Sequence, residues 1–202
     1  MAGQLGVRPN AIYTYVADRA QLERAVVERI LSLADVSLLD GPSRSWRRRV
    51  TSYANALRGV LLAHPGAAAL FMSAPMDGPS ALLVGERLIG IFIDAGLSPE
   101  DASRATYAFI VHVLGSVALE VAETDARPPL RPEAERVRDR LEALSQVPQD
   151  AFPNSARTAR IAAQWITSDQ FNWDVTVLLD GVAATAVRRS REASSGRRAV
   201  PG

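Results

Sequence analysis

Residues 1–22, MAGQLGVRPNAIYTYVADRAQL, decide how the chain is read. Ala2 stands four residues before Gly6, and Val7-Arg8-Pro9-Asn10-Ala11-Ile12-Tyr13-Thr14-Tyr15-Val16 follows. The pattern reads as helix, tight turn, helix. Gly6 suits the turn because a residue without a Cβ accepts positive φ, Ala2 is small enough for the first helix to approach the second, and Pro9 fits a first helical turn. Leu5, Val7, Ile12 and Val16 then face inward. Arg8, Asn10, Ala11, Tyr13, Thr14 and Tyr15 are left outside as a polar and aromatic surface, of the kind that reaches phosphates and base edges in a major groove. The plainer alternative is a surface hairpin with half-buried tyrosines. Turn glycine, alanine offset, aromatic spacing and a following capping box coincide, which weighs against it.

Beyond this stretch the apolar period is 3.6, and alternation with period two is scarce, so the fold class is all-α. Asp18 and Gln21 form a capping box for a connecting helix, Arg19–Leu39, with Leu22, Val26, Ile30 and Leu33 on one face and an end before Gly41-Pro42. Trp46, Val50, Tyr53, Leu57, Val60 and Leu61 mark a second long helix, stopped at His64-Pro65 because the residue before proline avoids the α region. His64 sits there as a helix-end residue suited to the C-terminal dipole. A short helix spans 66–73. Gly78-Pro79 and Ser98-Pro99 open two more, with proline in the first turn of each, and Ala95-Gly96 closes the first of them. From Asp101 to Glu123 two faces are apolar, one through Phe109 and Val113, the other through Tyr107, Val111, Leu114, Val117 and Val121, so this helix needs cover on both sides. A proline-rich linker (125–132) leads to a charged surface helix, Glu133–Leu144, then a loop through Pro148 and Pro153, and a last helix from Ser168 to Arg189. The organisation expected is a head at 1–40, a larger helical domain at 41–190, and a disordered Ser-, Gly- and Arg-rich tail at 191–202.

Composition excludes more than it assigns. There is no cysteine, so disulfides, thiolate metal sites and cysteine nucleophiles are ruled out, and a reducing cytoplasm is the expected setting. The longest apolar runs, such as 67–72 and 89–93, are far below the roughly 20 residues that span a bilayer, so no membrane partner is expected. The net charge of +1 leaves nucleic-acid binding to a local surface. All 23 basic residues are arginine, which lowers the weight of any single one; the Arg47-Arg48-Arg49 run reads as a solvated helix face, with long-range phosphate attraction as the alternative. Two distant histidines, no Gly-rich phosphate loop and no HExxH leave no catalytic constellation, no metal site and no cofactor. The acidic pairs Glu120 with Glu123 and Glu133 with Glu135 read as solvated helix surface.

The N-terminal motif, Leu5-Gly6-Val7, then Ile12-Tyr13-x-Tyr15-Val16, then Asp18-Arg19-x-x-Leu22, resembles the signature of the tetracycline-repressor (TetR) family of transcriptional regulators. Family members usually carry Tyr-x-His-Phe and Lys where this chain has Tyr13-Thr14-Tyr15-Val16 and Arg19. The resemblance implies phosphate contacts from Tyr13 and Arg19, with Arg8, Asn10, Ala11, Thr14 and Tyr15 nearest the bases of a double-stranded operator. It also implies a further helix ahead of Ala2, absent from the chain as written, so weak operator binding by this chain is expected. Leu62-Ala63-His64-Pro65, Gly78-Pro79, Ala95-Gly96-Leu97-Ser98, Phe171-x-Trp173 and Leu179-Asp180-Gly181 resemble the family's C-terminal domain.

There the resemblance implies a homodimer, formed as a four-helix bundle by the helix 101–123 and the last helix, with Leu178, Val182, Ala183 and Ala186 at the contact. It also implies an effector pocket inside each C-terminal domain, for which the inward-looking candidates are Tyr53, Leu57, Leu61, Phe71, Leu88, Phe92, Phe109 and His112. Each of these fits core packing as well. Leu70 stands where tetracycline repressors hold a magnesium-binding histidine, which points away from metal-chelated tetracycline and toward an apolar or aromatic effector. The function implied is a repressor released from DNA by a small molecule, with the connecting helix as hinge. The rival is a ligand-binding dimer with a degenerate head.

Overall fold

A computed structural model of the chain describes residues 18–123 and 129–198, with side chains as far as residue 189. Among the described residues there is no strand, as the apolar period requires. Eight α-helices follow one another: α1 Arg19–Leu31, α2 Trp46–Ala63, α3 Ala68–Phe71, α4 Pro79–Asp94, α5 Pro99–Ala122, α6 Glu133–Leu144, α7 Pro153–Ala162 and α8 Ser168–Arg198. Short 3-10 turns at Val36–Leu39, Ser43–Ser45 and Pro65–Ala67 join the first of them.

The boundaries follow from capping chemistry. The Asp18 carboxylate accepts from the Gln21 amide at 2.8 Å and starts α1, and the Ser98 hydroxyl accepts from the Asp101 amide at 3.1 Å and starts α5. Prolines occupy the first turns of α4, α5 and α7, where the missing N–H costs nothing. Gly96, with φ of 101°, ends α4. There Leu97 N–H donates to Phe92 O at 3.1 Å and Gly96 N–H to Ile93 O at 2.9 Å, a Schellman closure that tucks Leu97 into the core.

The core gathers around α5, which packs against α2, α3, α4 and α8. Tyr53, Leu88, Phe92, Phe109 and Val113 are fully buried there. Val27, Ile30, Leu31, Ala34 and Leu39 belong to the same apolar cluster, so α1 is built into the bundle. Taken as a whole, α5 is long and apolar enough by length and composition to cross a membrane, with a mean hydropathy of 1.6 over 18 residues, of which 39% are buried. Its short apolar runs conceal this because the apolar residues are spread over two faces.

Four expectations need correction. The connecting helix stops at Leu31 rather than Leu39: the Asp35 carboxylate accepts from the Ser37 amide at 3.0 Å and starts a separate 3-10 turn, which leaves Leu33 exposed. The stretch read as a loop after Pro153 is α7, whose buried residues are only Ala159 and Ala162; alanines give the apolar pattern too little contrast to mark a helix. The last helix continues past Arg189, so the tail expected to be disordered is helical as far as Arg198. Finally, Glu120 is not solvated surface: it is 4% exposed.

Candidate functional site

Of the DNA-facing candidates, Arg8, Asn10, Ala11, Tyr13, Thr14 and Tyr15 lie outside the described residues, as does the question of a helix ahead of Ala2. Arg19 opens α1 with its side chain 87% exposed, and its Nε donates to Glu23 Oε1 at 2.8 Å. From there α1 is clamped to the bundle. Gly78, at the start of α4, offers no side chain to cap that helix. Glu28 of α1 does so from outside: its Oε1 accepts from the Ser80 amide at 2.5 Å. A Cβ on Gly78 would collide with this carboxylate, so the glycine is what lets the two helices meet. Arg24 and Asp77 pair beside it at 3.5 Å.

The Arg47-Arg48-Arg49 run is only in part a solvated face. Arg47 Nη1 pairs with Asp180 Oδ1 at 2.5 Å, and Arg49 Nη1 donates to Leu39 O at 2.6 Å.

Of the pocket candidates, Tyr53, Leu57, Leu61, Phe71, Leu88, Phe92 and Phe109 are each at most 4% exposed and belong to one apolar cluster. His112 stands apart, half-buried, its ring nearly parallel to Phe171 with centroids 6.0 Å apart. Burial holds its imidazole below the usual histidine range, against the opposing pull of Asp174. Burial likewise pushes the Tyr53 phenol far up, so it remains a hydrogen-bond donor. Yet Tyr53 Oη, Thr106 Oγ1 and His112 Nε2 are buried without a hydrogen-bond partner. Each such group costs about 1–3 kcal/mol unless something satisfies it.

Toward the far end of α5 the interior changes character. Glu120 accepts from two arginines: Arg58 Nη2 at 3.0 Å and 2.9 Å, and Arg136 Nη1 at 2.9 Å. Arg58 Nη1 also donates to Ser168 Oγ at 3.0 Å, and Ser168 N–H and Oγ–H both donate to Glu133 Oε2. Four helices, α2, α5, α6 and α8, meet at this ion cluster. Beside it a cavity of about 300 Å³ opens between α5 and α8, walled by Leu119, Trp165, Ile166 and Phe171 and edged by Glu120, Glu123 and Asp174. None of the eight pocket candidates lines it.

Residues 40–186 match the family model described as "Tetracyclin repressor-like, C-terminal domain". The chain belongs to the TetR family. It is 30% identical over 120 residues to an HTH-type transcriptional regulator of Saccharopolyspora erythraea, covering 59% of this chain and 50% of that protein. It is also 30% identical over 120 residues to an HTH-type transcriptional repressor of Mycobacterium tuberculosis, covering 57% and 46%. The matches thus span about half the length of these curated relatives. Among solved structures, "a possible TetR family transcriptional regulator" from Streptomyces coelicolor A3(2) aligns with a TM-score of 0.72 at 28% identity, over 91% of this chain and 86% of that one. ActR of Streptomyces coelicolor in complex with actinorhodin aligns with a TM-score of 0.72 at 20% identity, over 92% and 85%, a likeness of fold.

In this TetR-family chain the outward sides of α5 and α8 are apolar and uncovered. Tyr107, Val111 and Leu119 on α5 and Trp173, Val177 and Val187 on α8 are all exposed. Gly115 and Gly181 lie between them, with open space where a Cβ would stand. The stripe differs from the one read in the sequence: Val182 and Ala186 turn into the subunit's own core, as do Leu114, Val117 and Val121. Sequence reasoning missed Arg58, Glu120 and Arg136, because charged residues at helical spacing look like a solvated face. It also missed Glu28, although an acidic side chain in one helix and an uncapped Gly-Pro helix start elsewhere are the two halves of such a clamp.

Proposed function

We propose that this protein is a ligand-responsive, DNA-binding transcriptional regulator, a repressor that works as a homodimer and is released from its operator by a small apolar or aromatic effector in the cytoplasm. The observation that carries the reading is the uncovered apolar side shared by α5 and α8, with a glycine within each stripe. Two such faces on two copies are self-complementary, as a twofold contact requires, and apolar area of this extent left bare on a subunit marks a contact surface. Family membership supplies the context, and ActR, a protein of the same fold, has been crystallised with small molecules.

Under this reading residues 1–40 form the head with its connecting helix, and 41–190 the effector and dimer domain. Tyr13 and Arg19 contact phosphates, while Arg8, Asn10, Ala11, Thr14 and Tyr15 face the bases. The effector enters among Tyr53, Leu57, Leu61, Phe71, Leu88, Phe92, Phe109 and His112, and the orphaned polar atoms of Tyr53 and His112 support this because a ligand would satisfy them. Opening that cluster shifts α4, and α4 holds α1 through Glu28, so the ligand resets the spacing of the two heads. Membership of a family of transcriptional regulators supports a non-enzymatic role.

The test is a mobility shift with the DNA upstream of the coding region, using the chain and a version extended upstream in frame. Salt-dependent binding of a dimer to two half-sites is expected. Tyr13→Ala should weaken that binding and leave the dimer intact. A dimer that takes up small molecules but shifts no DNA in either version would instead establish the degenerate-head alternative.

A further inference from the structure

We propose that the cavity between the end of α5 and the start of α8 binds a flat organic cation, an aromatic molecule carrying a protonated amine. Binding itself stands on the cavity's chemistry; only its regulatory consequence rests on the function proposed above.

The charges at the rim point one way. Glu120 is spent on Arg58 and Arg136, and Glu123 is paired with Arg140. Those three arginines are therefore committed to carboxylates and offer nothing to an anion. Asp174 is different: its Oδ1 accepts from Gln170 Nε2 at 2.8 Å, and it has no ion-pair partner among the described residues. Asp169, on the first turn of α8, likewise has none among the described residues, and it borders the neighbouring cavity rather than this one. An anionic ligand would meet the unpaired Asp174 carboxylate, and a neutral one would strip water from Asp174 and return no charge, which is costly.

The walls favour the same ligand. Phe171 already carries the Arg58 guanidinium 5.4 Å from its centroid, and Trp165 carries that of Arg140 at 5.6 Å. The fold itself thus uses both rings as cation acceptors, and since Phe171 is 3% exposed and stacked against His112, the ring open to a ligand is that of Trp165. Trp165 remains 58% exposed. A neighbouring cavity of about 430 Å³ shares Trp165 and Gln170 and is bordered by Asp169 and by Trp173, which also belongs to the outer stripe of α8. An aromatic ammonium stacks its ring on the exposed indole while its charge meets the carboxylate, whereas an aliphatic amine lacks the ring stacking and an uncharged arene lacks the charge. Leu119 lines the cavity and also belongs to the outer stripe of α5, so an occupied site lies at the edge of the face on which the subunits are proposed to meet.

Three probes with one ring system and three charges test this on the whole chain, without DNA: 1-naphthylmethylammonium, 1-naphthalenemethanol and 1-naphthaleneacetate, each titrated by calorimetry. The ammonium should bind about tenfold tighter than the alcohol, with the acetate weakest. Asp174→Asn should erase the preference for the ammonium while leaving the thermal midpoint unchanged, and Trp165→Ala should weaken the ammonium and the alcohol alike. Equal binding of ammonium and acetate, no binding of the ammonium, or a preference that survives Asp174→Asn would overturn the proposal. A preference that holds in calorimetry while the separate mobility shift proposed above ignores the ammonium would keep the site and remove any regulatory role, which separates the two claims.

Discussion

The middle of α5, around Phe109, and its last turns, around Glu120, are buried to nearly the same depth by opposite means. Phe109 is fully buried among Tyr53, Leu88, Phe92 and Val113, in a packing that apolar periodicity alone specifies. Glu120 is 4% exposed, with Arg58 and Arg136 each at 7%, held by charge pairing between three helices. Burial in the first region is non-directional and tolerates replacement of similar volume. Burial in the second depends on each member being present, since one removal strands the other charges.

That contrast can be broken from either side. The largest effects should come from Phe109→Ala and Glu120→Ala, each costing about 3–5 kcal/mol, or roughly 6–20 °C in thermal midpoint for a chain of this size. The informative partner measurements are Phe109→Leu and Glu120→Gln. The first should recover most of the loss, whereas the second keeps the shape, leaves the buried Arg136 without a counter-charge and Arg58 with only Glu133 at 3.8 Å, and should recover little. Equal rescue at both positions would erase the distinction drawn here.

A smaller effect is expected at the clamp between α1 and α4. Glu28→Ala removes a cap and should cost about 1 kcal/mol, seen as faster amide exchange at Ser80 and its neighbours. Gly78→Ala should reproduce that faster exchange by pushing the carboxylate away. Protection unchanged in both would show that α1 is held by its apolar contacts alone.

The smallest effect is a pH dependence at His112. Its imidazole titrates below the ordinary value of 6.5 because burial disfavours the charged form. The unfolded chain therefore binds the extra proton first, so the stability this residue contributes is complete above pH 6.5 and is lost as pH falls through the depressed folded value. The thermal midpoint should decline over that acidic window, and His112→Phe should flatten the decline. An unchanged slope would place the pH dependence elsewhere.

What could be read from the sequence follows the same division. Helix starts at Asp18, Pro79 and Pro99, and the stop at Gly96, were legible because capping and turn chemistry are local. The apolar residues of the core were legible because their period is strong. The burial of Glu120 was not, because its partners lie 62 and 16 residues away, and a lone charge on a helix carries no mark of what it will meet. Nor was α7, whose alanines supply little contrast. The outer stripe was half-read: two apolar faces on α5 were evident, but their division between core and surface depends on where α2, α4 and α8 land. The apolarity by which α5 passes for a membrane span and the exposure of Tyr107, Val111 and Leu119 share one explanation under the proposed function, a face that meets a second copy.

That claim is tested most directly by sedimentation equilibrium of the chain beside Gly181→Glu, which plants a charge at the middle of the exposed side of α8. The account predicts a dimer for the unaltered chain and a dissociation constant raised about 100-fold or more for the variant, equivalent to about 2.7 kcal/mol, with helix content unchanged. A monomer across the whole concentration range, or a dimer indifferent to the charge at Gly181, would contradict it.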